Sequence, residues 1–314
     1  TDVKTEDIFH TIGIDYLNAK QIDENTVLLR PDEITLLKEN APYLIAMKVR
    51  DLREMPPEAC EISEPDIIHI SAPGHEPVIG VIDTPFSKNV YFSDWVTYEN
   101  MLDDGIELDA HDYTHGTEVT SIIVDGPAIN PSLDDGCGRF RVKHFGVAKR
   151  GRFSSYSILR SIRTAVSQNR DIKVWNLSLG SMLPIKQNFI SPEAAELDKI
   201  QNEYDVIFVI AGTNGIPGQP TIPIGAPADS LNSLVINSVT RENTPASYHR
   251  VGPVLSFFHK PDVSYYGGDA GHPMHVCTPT GEGFVQGTSF SAPWITRKMA
   301  YLICTLGFSR EIAK

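Results

Sequence analysis

Cysteine is scarce, with four thiols (Cys60, Cys137, Cys277 and Cys304) in 314 residues. They stand far apart and form no Cys-x-x-Cys pair, which argues against a zinc site or a dithiol redox centre. Free thiols in a reducing compartment are favoured over disulfides. No apolar run approaches the ~18 residues of a membrane-spanning helix. No leader with a charged start and an apolar core opens the chain either. The chain begins with Thr1 rather than Met, so a removed upstream segment stays open. Positive charge is also in short supply, 27 Lys and Arg against 40 Asp and Glu, for a formal charge of −13. That balance argues against nucleic acid or an anionic membrane as the main partner. What is present is an ordinary globular composition, 41% hydrophobic. It is long enough for one large or two modest domains around a sizeable core.

Residues 1–75 read as a small α/β piece without a chemical motif. Glu24-Asn25-Thr26-Val27-Leu28-Leu29 and Tyr43-Leu44-Ile45-Ala46-Met47 suggest strands, and Pro31 opens a helix through Leu37. Met55-Pro56-Pro57 and Ala72-Pro73-Gly74 punctuate the path onward. The segment reads as a packing extension, with an inhibitory or chaperone-like appendage as the alternative.

From Pro77 the pattern changes. Pro77-Val78-Ile79-Gly80-Val81-Ile82-Asp83 is a continuous apolar run, as expected of a strand buried on both faces of a parallel sheet. Asp83 stands at its carboxyl end, where open α/β sheets place functional groups, although Asp-Thr-Pro is also good turn chemistry. Similar runs recur at residues 173–180, 205–211 and 233–239. Helical spacing fills 155–166 and 192–204 between them, so βαβ units and a mostly parallel sheet are expected.

The acidic residues Asp103, Asp104, Glu107, Asp109 and Asp112 read as a solvated loop, with a weak cation site as the minority alternative. His111-Asp112-Tyr113-Thr114-His115 imitates a zinc-binding H-E-x-x-H motif with Asp in place of Glu. Gly116 and the acidic loop argue against that use, and a helix is expected to start near His115. The basic stretch 139–163, with Arg139, Arg141, Lys143, His144, Lys149, Arg150, Arg152, Arg160 and Arg163, reads as a solvated face. A docking patch for an acidic partner is its minority alternative.

Near the end lies Gly287-Thr288-Ser289-Phe290-Ser291-Ala292-Pro293-Trp294, leading into an apolar, helix-compatible run over 294–306. A serine opening that helix would sit among unpaired N–H groups at the positive end of the helix dipole, a setting suited to a nucleophile whose reaction develops an oxyanion. Pro293 supports a helix start near Ser289, since proline suits a first turn. A merely capped surface helix is the competing reading. Asp83 at a strand end, His115 at a helix start, Asn214 after a strand and Ser289 together supply a carboxylate, a base, an amide donor and a hydroxyl. Serine hydrolysis needs that set.

The order Asp, His, Ser is that of subtilisin, and the flanking residues agree. Val81-Ile82-Asp83-Thr84, His115-Gly116-Thr117-x-Val119 and Gly287-Thr288-Ser289-x-Ser291-Ala292-Pro293 resemble the Asp, His and Ser blocks of the subtilisin-like serine peptidases, over about residues 77–306. The resemblance implies a three-layer α/β/α domain at 76–314, with 1–75 as an N-terminal extension or propeptide-like segment. It implies a serine endopeptidase with Ser289 as nucleophile, His115 as general base and acid, and Asp83 holding His115. Asn214 would join the Ser289 N–H at the oxyanion. Ser178, Leu179 and Gly180 would pair with substrate backbone, and Ala211, Gly212 and Thr213 would wall the pocket before the scissile bond.

Two positions depart from the family pattern. Pro85 replaces a glycine after Asp-Thr, and Thr213 replaces one before Asn214. The expected partners are protein or peptide substrates, with a regulatory ATPase known beside some such proteins. No cofactor is expected; calcium is common in the family, but no ligand set is apparent. Cytoplasmic location is expected, or secretion if an upstream signal was removed. The rivals are a catalytically silent binding or scaffold module of the same fold and a metallopeptidase using His111 and His115. An α/β-hydrolase would need Gly-x-Ser-x-Gly, and Ser291 occupies the final position instead.

Overall fold

A computed structural model describes residues 9–14, 20–23, 26–40, 70–103, 105–149 and 155–314. At the start, β1 (Lys20–Asp23) and β2 (Thr26–Leu28) pair antiparallel ahead of helix α1 (Pro31–Asn40). Phe9, Ile14 and Leu37 form a small core of their own. The strand expected at 43–47, the Met55-Pro56-Pro57 break and Cys60 lie outside the described residues.

The apolar run after Pro77 forms β3 (Val78–Asp83). It belongs to a parallel sheet with β4 (Val96–Asn100), β5 (Arg141–Gly146), β6 (Val174–Leu177), β7 (Ile207–Ala211), β8 (Leu234–Val239) and β9 (Val263–Tyr266). The seven strands lie in the order β4-β5-β3-β6-β7-β8-β9, and every neighbouring pair is parallel. Alternate side chains feed two cores, because successive residues of a strand point to opposite faces. Ile79, Val81, Val174, Ile207 and Val209 face one layer, and Ile82, Trp175, Leu177, Phe208 and Ile210 face the other. Helices α2 (Thr114–Ile129) and α5 (Thr288–Ala300) cover the first face, and α3 (Ser155–Gln168) and α4 (Pro192–Tyr204) the second. The result is the three-layer α/β/α architecture. An antiparallel hairpin, β10 (Met274–Thr278) and β11 (Gly281–Val285), leads into α5.

Several expectations shift. The basic stretch is not a solvated face where it forms β5, an interior strand with Val142, His144, Phe145 and Gly146 buried, while Arg150 and Arg152 lie outside the described residues. Its cations are engaged, Arg139 with Asp125, Lys143 with Asn169, and Arg163 with Glu196 and Glu203. Charged residues on alternate positions concealed a strand whose intervening residues are buried. The run at 205–211 starts as a strand only at Ile207, because Asp205 caps α4 in the left-handed region at φ 51°. The run at 173–180 is a strand only over Val174–Leu177. Asp112 is buried and Asp109 caps the turn before α2, so these two acids are structural rather than solvated. Pro293 stands inside α5, in its second turn rather than its first. Cys137, Cys277 and Cys304 are free thiols.

Arg297 anchors α5 to the rest of the domain. It is fully buried and forms a bidentate pair with Asp135, Nε to Oδ2 at 2.8 Å and Nη2 to Oδ1 at 2.9 Å. It also donates to the carbonyls of Ile123 and Gly138. Removing one partner of such a pair strands a buried charge. Arg297→Met should therefore cost roughly 3–5 kcal/mol, measured by urea denaturation at neutral pH. The double variant with Asp135→Asn should recover part of that loss.

Candidate active site

Asp83 ends β3, the strand from which the sheet grows in both directions, with β5 on one side and β6 on the other. Such a switch point leaves a crevice beyond the carboxyl ends of the strands. α2 begins over this crevice and brings His115 down onto Asp83, with Nδ1 and Oδ1 2.6 Å apart and both side chains buried. A carboxylate can only accept, so Nδ1 carries the hydrogen and Nε2 is the accepting nitrogen of the neutral ring. The close approach depends on Gly116: a Cβ there would lie 2.3 Å from the Thr84 carbonyl oxygen and 2.9 Å from that of Pro85. The Gly116 N–H instead donates to Thr84 Oγ1 at 2.9 Å, and the Thr84 N–H donates to Asp83 Oδ1 at 2.7 Å. Pro85 fits this packing, with its Cα against Gly146 of the neighbouring strand.

Ser289 is the second residue of α5. Its hydroxyl donates to the Ser178 carbonyl oxygen at 3.3 Å, and the Ser178 hydroxyl donates back to the Ser289 carbonyl oxygen at 3.2 Å. The return bond has a cause. In a regular helix the Ser289 carbonyl would accept from the N–H of residue 293, which proline lacks. The ring of Phe290 lies 5.8 Å from that of His115, so the turn that carries Ser289 runs beside the imidazole.

Asn214 follows β7. Its Oδ1 accepts from the backbone N–H of Thr288 at 3.0 Å and from Thr288 Oγ1 at 2.9 Å. The amide NH2 therefore faces Gly287, where a Cβ would lie 2.8 Å from Nδ2. Gly287 also has φ 150°, so this junction favours glycine twice over. Ser178, Leu179 and Gly180 continue from β6, and Ala211, Gly212 and Thr213 end β7 and run on from it; all six are buried. Thr213 has φ 65°, an uncommon conformation for a β-branched residue. Its hydroxyl donates to the Gly212 carbonyl at 2.6 Å and accepts from the Gly225 N–H at 2.9 Å.

Two residues at this site escaped the sequence reading. His144 on β5 lies beneath Thr84, donating from Nε2 to the Thr84 carbonyl at 2.7 Å and accepting at Nδ1 from Thr120 at 2.9 Å. Complete burial pushes its pKa down to about 4, against the opposing pull of Asp83. Arg250 is buried behind Asn214 and donates to the carbonyls of Asn214 and Met182, each at 2.8 Å, and to that of Pro223 at 3.4 Å. The period-two pattern of Arg141-Val142-Lys143-His144-Phe145 was a signal for His144; Arg250 had none. His111 stays in the exposed turn before α2, apart from the buried His115. Among the described residues no group of three or more His, Cys, Asp or Glu side chains is arranged to hold a metal. None of the described helices is long and apolar enough to cross a membrane.

A buried Asp-His pair thus lies beside the first turn of a helix that carries a serine, at the carboxyl ends of the strands of an α/β/α sheet. The subtilase family model matches residues 74–306, and the chain belongs to that family of serine proteases. Among solved structures it is similar to the epidermin leader peptide processing serine protease EpiP from Staphylococcus aureus. That match has 19% identity and a TM-score of 0.59 and covers 77% of this chain and 69% of that one. The nisin leader peptidase NisP from Lactococcus lactis matches at 17% identity and a TM-score of 0.57, over 76% and 81% of the two chains. A cold adapted subtilisin-like serine proteinase matches at 18% and 0.54, over 75% and 78%. At such identities the likeness shows the fold. None of the curated proteins matches the chain.

His144 supplies a pH test. Between its ordinary value near 6.5 and about 4, the unfolded chain takes up a proton that the folded chain refuses. Stability is therefore lost as pH falls through that window, by roughly 3 kcal/mol from this residue. His144→Gln should lower stability at pH 7, and the gap to wild type should narrow toward pH 4 in urea titrations. A gap independent of pH would remove His144 as the source.

Proposed function

We propose that the chain is an endopeptidase that hydrolyses peptide bonds through an acyl-enzyme on Ser289. The reading is carried by the 2.6 Å contact of His115 Nδ1 with Asp83 beside the helix turn that holds Ser289. Asp83 fixes the tautomer in which Nε2 accepts, so His115 takes the Ser289 proton as the hydroxyl attacks the scissile carbonyl. The same imidazolium then returns that proton to the leaving amine. Water, activated in turn by His115, releases the acyl group and regenerates the serine.

Charge develops on the carbonyl oxygen during attack. The donors suited to receive it are the Asn214 amide NH2, held with its oxygen turned toward Thr288, and the backbone N–H of Ser289 in the first turn of α5. Both are in place before substrate arrives, which is what makes such donors effective. Extended backbone of a peptide would pair with residues 178–180, and residues 211–213 would wall the pocket for the side chain before the scissile bond. Protein or peptide substrates follow, and the leader-peptide processing roles of EpiP and NisP agree with this class.

A fluorophosphonate probe, read by intact mass, should add one label to wild type and none to Ser289→Ala. Well-folded wild type that resists labelling would sink the reading. Asn214→Leu should keep the label while lowering kcat on a peptide substrate by about 10²–10³-fold. A change confined to KM would remove Asn214 from the oxyanion site.

A further inference from the structure

Residues 178–182 and 211–215 leave neighbouring parallel strands side by side and flank the Ser289 hydroxyl. If Asn214 receives the carbonyl oxygen, the α-carbon bonded to that carbonyl lies within two bonds of it. The side chain on that carbon then enters the space between these two segments. What fills this space is visible in the structure. The methyl of Thr213 points across it at Gly180, and a Cβ on residue 180 would lie only 2.6 Å from Thr213 Cγ2. Both residues are fully buried, so the two walls already touch.

The methyl is fixed in place. Thr213 is pinned through its hydroxyl to Gly212 and Gly225, which prevents the side chain from swinging aside without breaking two hydrogen bonds. Gly225 in turn packs closely against the other wall, where a Cβ on it would sit 1.9 Å from the Ser181 carbonyl oxygen. The Gly180 side of the slot is held by the Ser181 N–H on the Ala226 carbonyl at 2.7 Å. Arg250 ties the same walls together from behind through the carbonyls of Met182, Pro223 and Asn214. Neither wall can retreat without breaking this set.

We propose that Thr213 is a specificity-determining residue, and that it limits the residue before the scissile bond to glycine, alanine or serine. The inference rests on the hydrolytic reading of Ser289. A ring or branched chain would have to enter where the Thr213 methyl meets Gly180. The cost is steric, so it acts on the bound substrate and the transition state together. The unusual backbone supports the same view: φ 65° is maintained by a threonine where glycine would be easier. Replacement by glycine is therefore tolerated by the local conformation.

The test uses one peptide series that varies only the residue before the cleaved bond, assayed beside fluorophosphonate labelling of every variant. Wild type should cleave the Ala peptide at least about 100-fold better than the Phe and Leu peptides in kcat/KM. Thr213→Gly should raise the Phe and Leu values at least about 10-fold relative to Ala. Thr213→Ser keeps the hydroxyl and removes only the methyl, so it should act in the same direction. Equal cleavage of Ala and Phe peptides by labelled wild type would overturn the inference and leave the peptidase reading intact. So would an Ala preference that survives in both variants. Absence of labelling in wild type would instead overturn the hydrolytic reading, and this one with it.

Discussion

The hydrogen bond between Asp83 and His115 is the constraint on which the site depends. It joins the end of an interior strand to the start of a helix in the layer above, so strand position, helix height and helix rotation must all be right together. Thr84 enforces all three. Its N–H holds the carboxylate, its hydroxyl holds the helix through Gly116, and its carbonyl is held from below by His144. A single residue thus fastens β3, α2 and β5 at the point where the imidazole must be steady. Because every group in this cluster is buried, each donor and acceptor carries the full penalty of desolvation if its partner is lost. Precision at His115 is a property of the cluster rather than of any one bond.

The second fixed point is the Ser178–Ser289 pair, and it arises from a helix defect. Pro293 removes the donor that would satisfy the Ser289 carbonyl, and the Ser178 hydroxyl takes its place. The bond runs from the end of β6 to the first turn of α5, so the sheet and α5 are tied at the serine itself. Two turns further on, Arg297 ties the same helix to the Asp135 loop. A helix held at both ends cannot slide along the sheet, and the hydroxyl stays in register with the imidazole.

Much of this was legible in the sequence, and the exceptions share a reason. Apolar runs at 78–83, 207–211 and 234–239 are strands because a strand covered on both faces has no polar positions to confuse it. Asp83, His115, Asn214 and Ser289 could be singled out because each stands where an element starts or stops, flanked by small residues. β5 was hidden by Arg141 and Lys143, whose heads find partners at its margins while Val142 and His144 are buried between them. Pro293 suggested a first turn because propensity describes an isolated helix, whereas Ser178 compensates for the proline in this fold. Arg250 was invisible because its three acceptors are main-chain carbonyls, contributed by segments distant in sequence and of any residue type.

Arg250 also shows how the shape of the slot and the electrostatics of the site are connected. Its guanidinium is buried against three main-chain carbonyls rather than a carboxylate, and that burial lowers its pKa. Carbonyl oxygens carry partial charge only, so the neighbourhood of Asn214 keeps a net positive character that a salt bridge would have cancelled. On the proposed reading, an oxyanion developing next to the Asn214 amide would lie in the field of that cation, in surroundings where the interaction is weakly screened. The three carbonyls that satisfy the cation are also those of the segments closing on Thr213. The group that would favour negative charge at the reacting carbonyl is thus also the one that ties the walls of the adjoining slot. Widening the slot by moving its walls, rather than by trimming Thr213, would unseat the cation. For that reason the proposed substrate-size limit and the proposed oxyanion stabilisation would be physically coupled through Arg250.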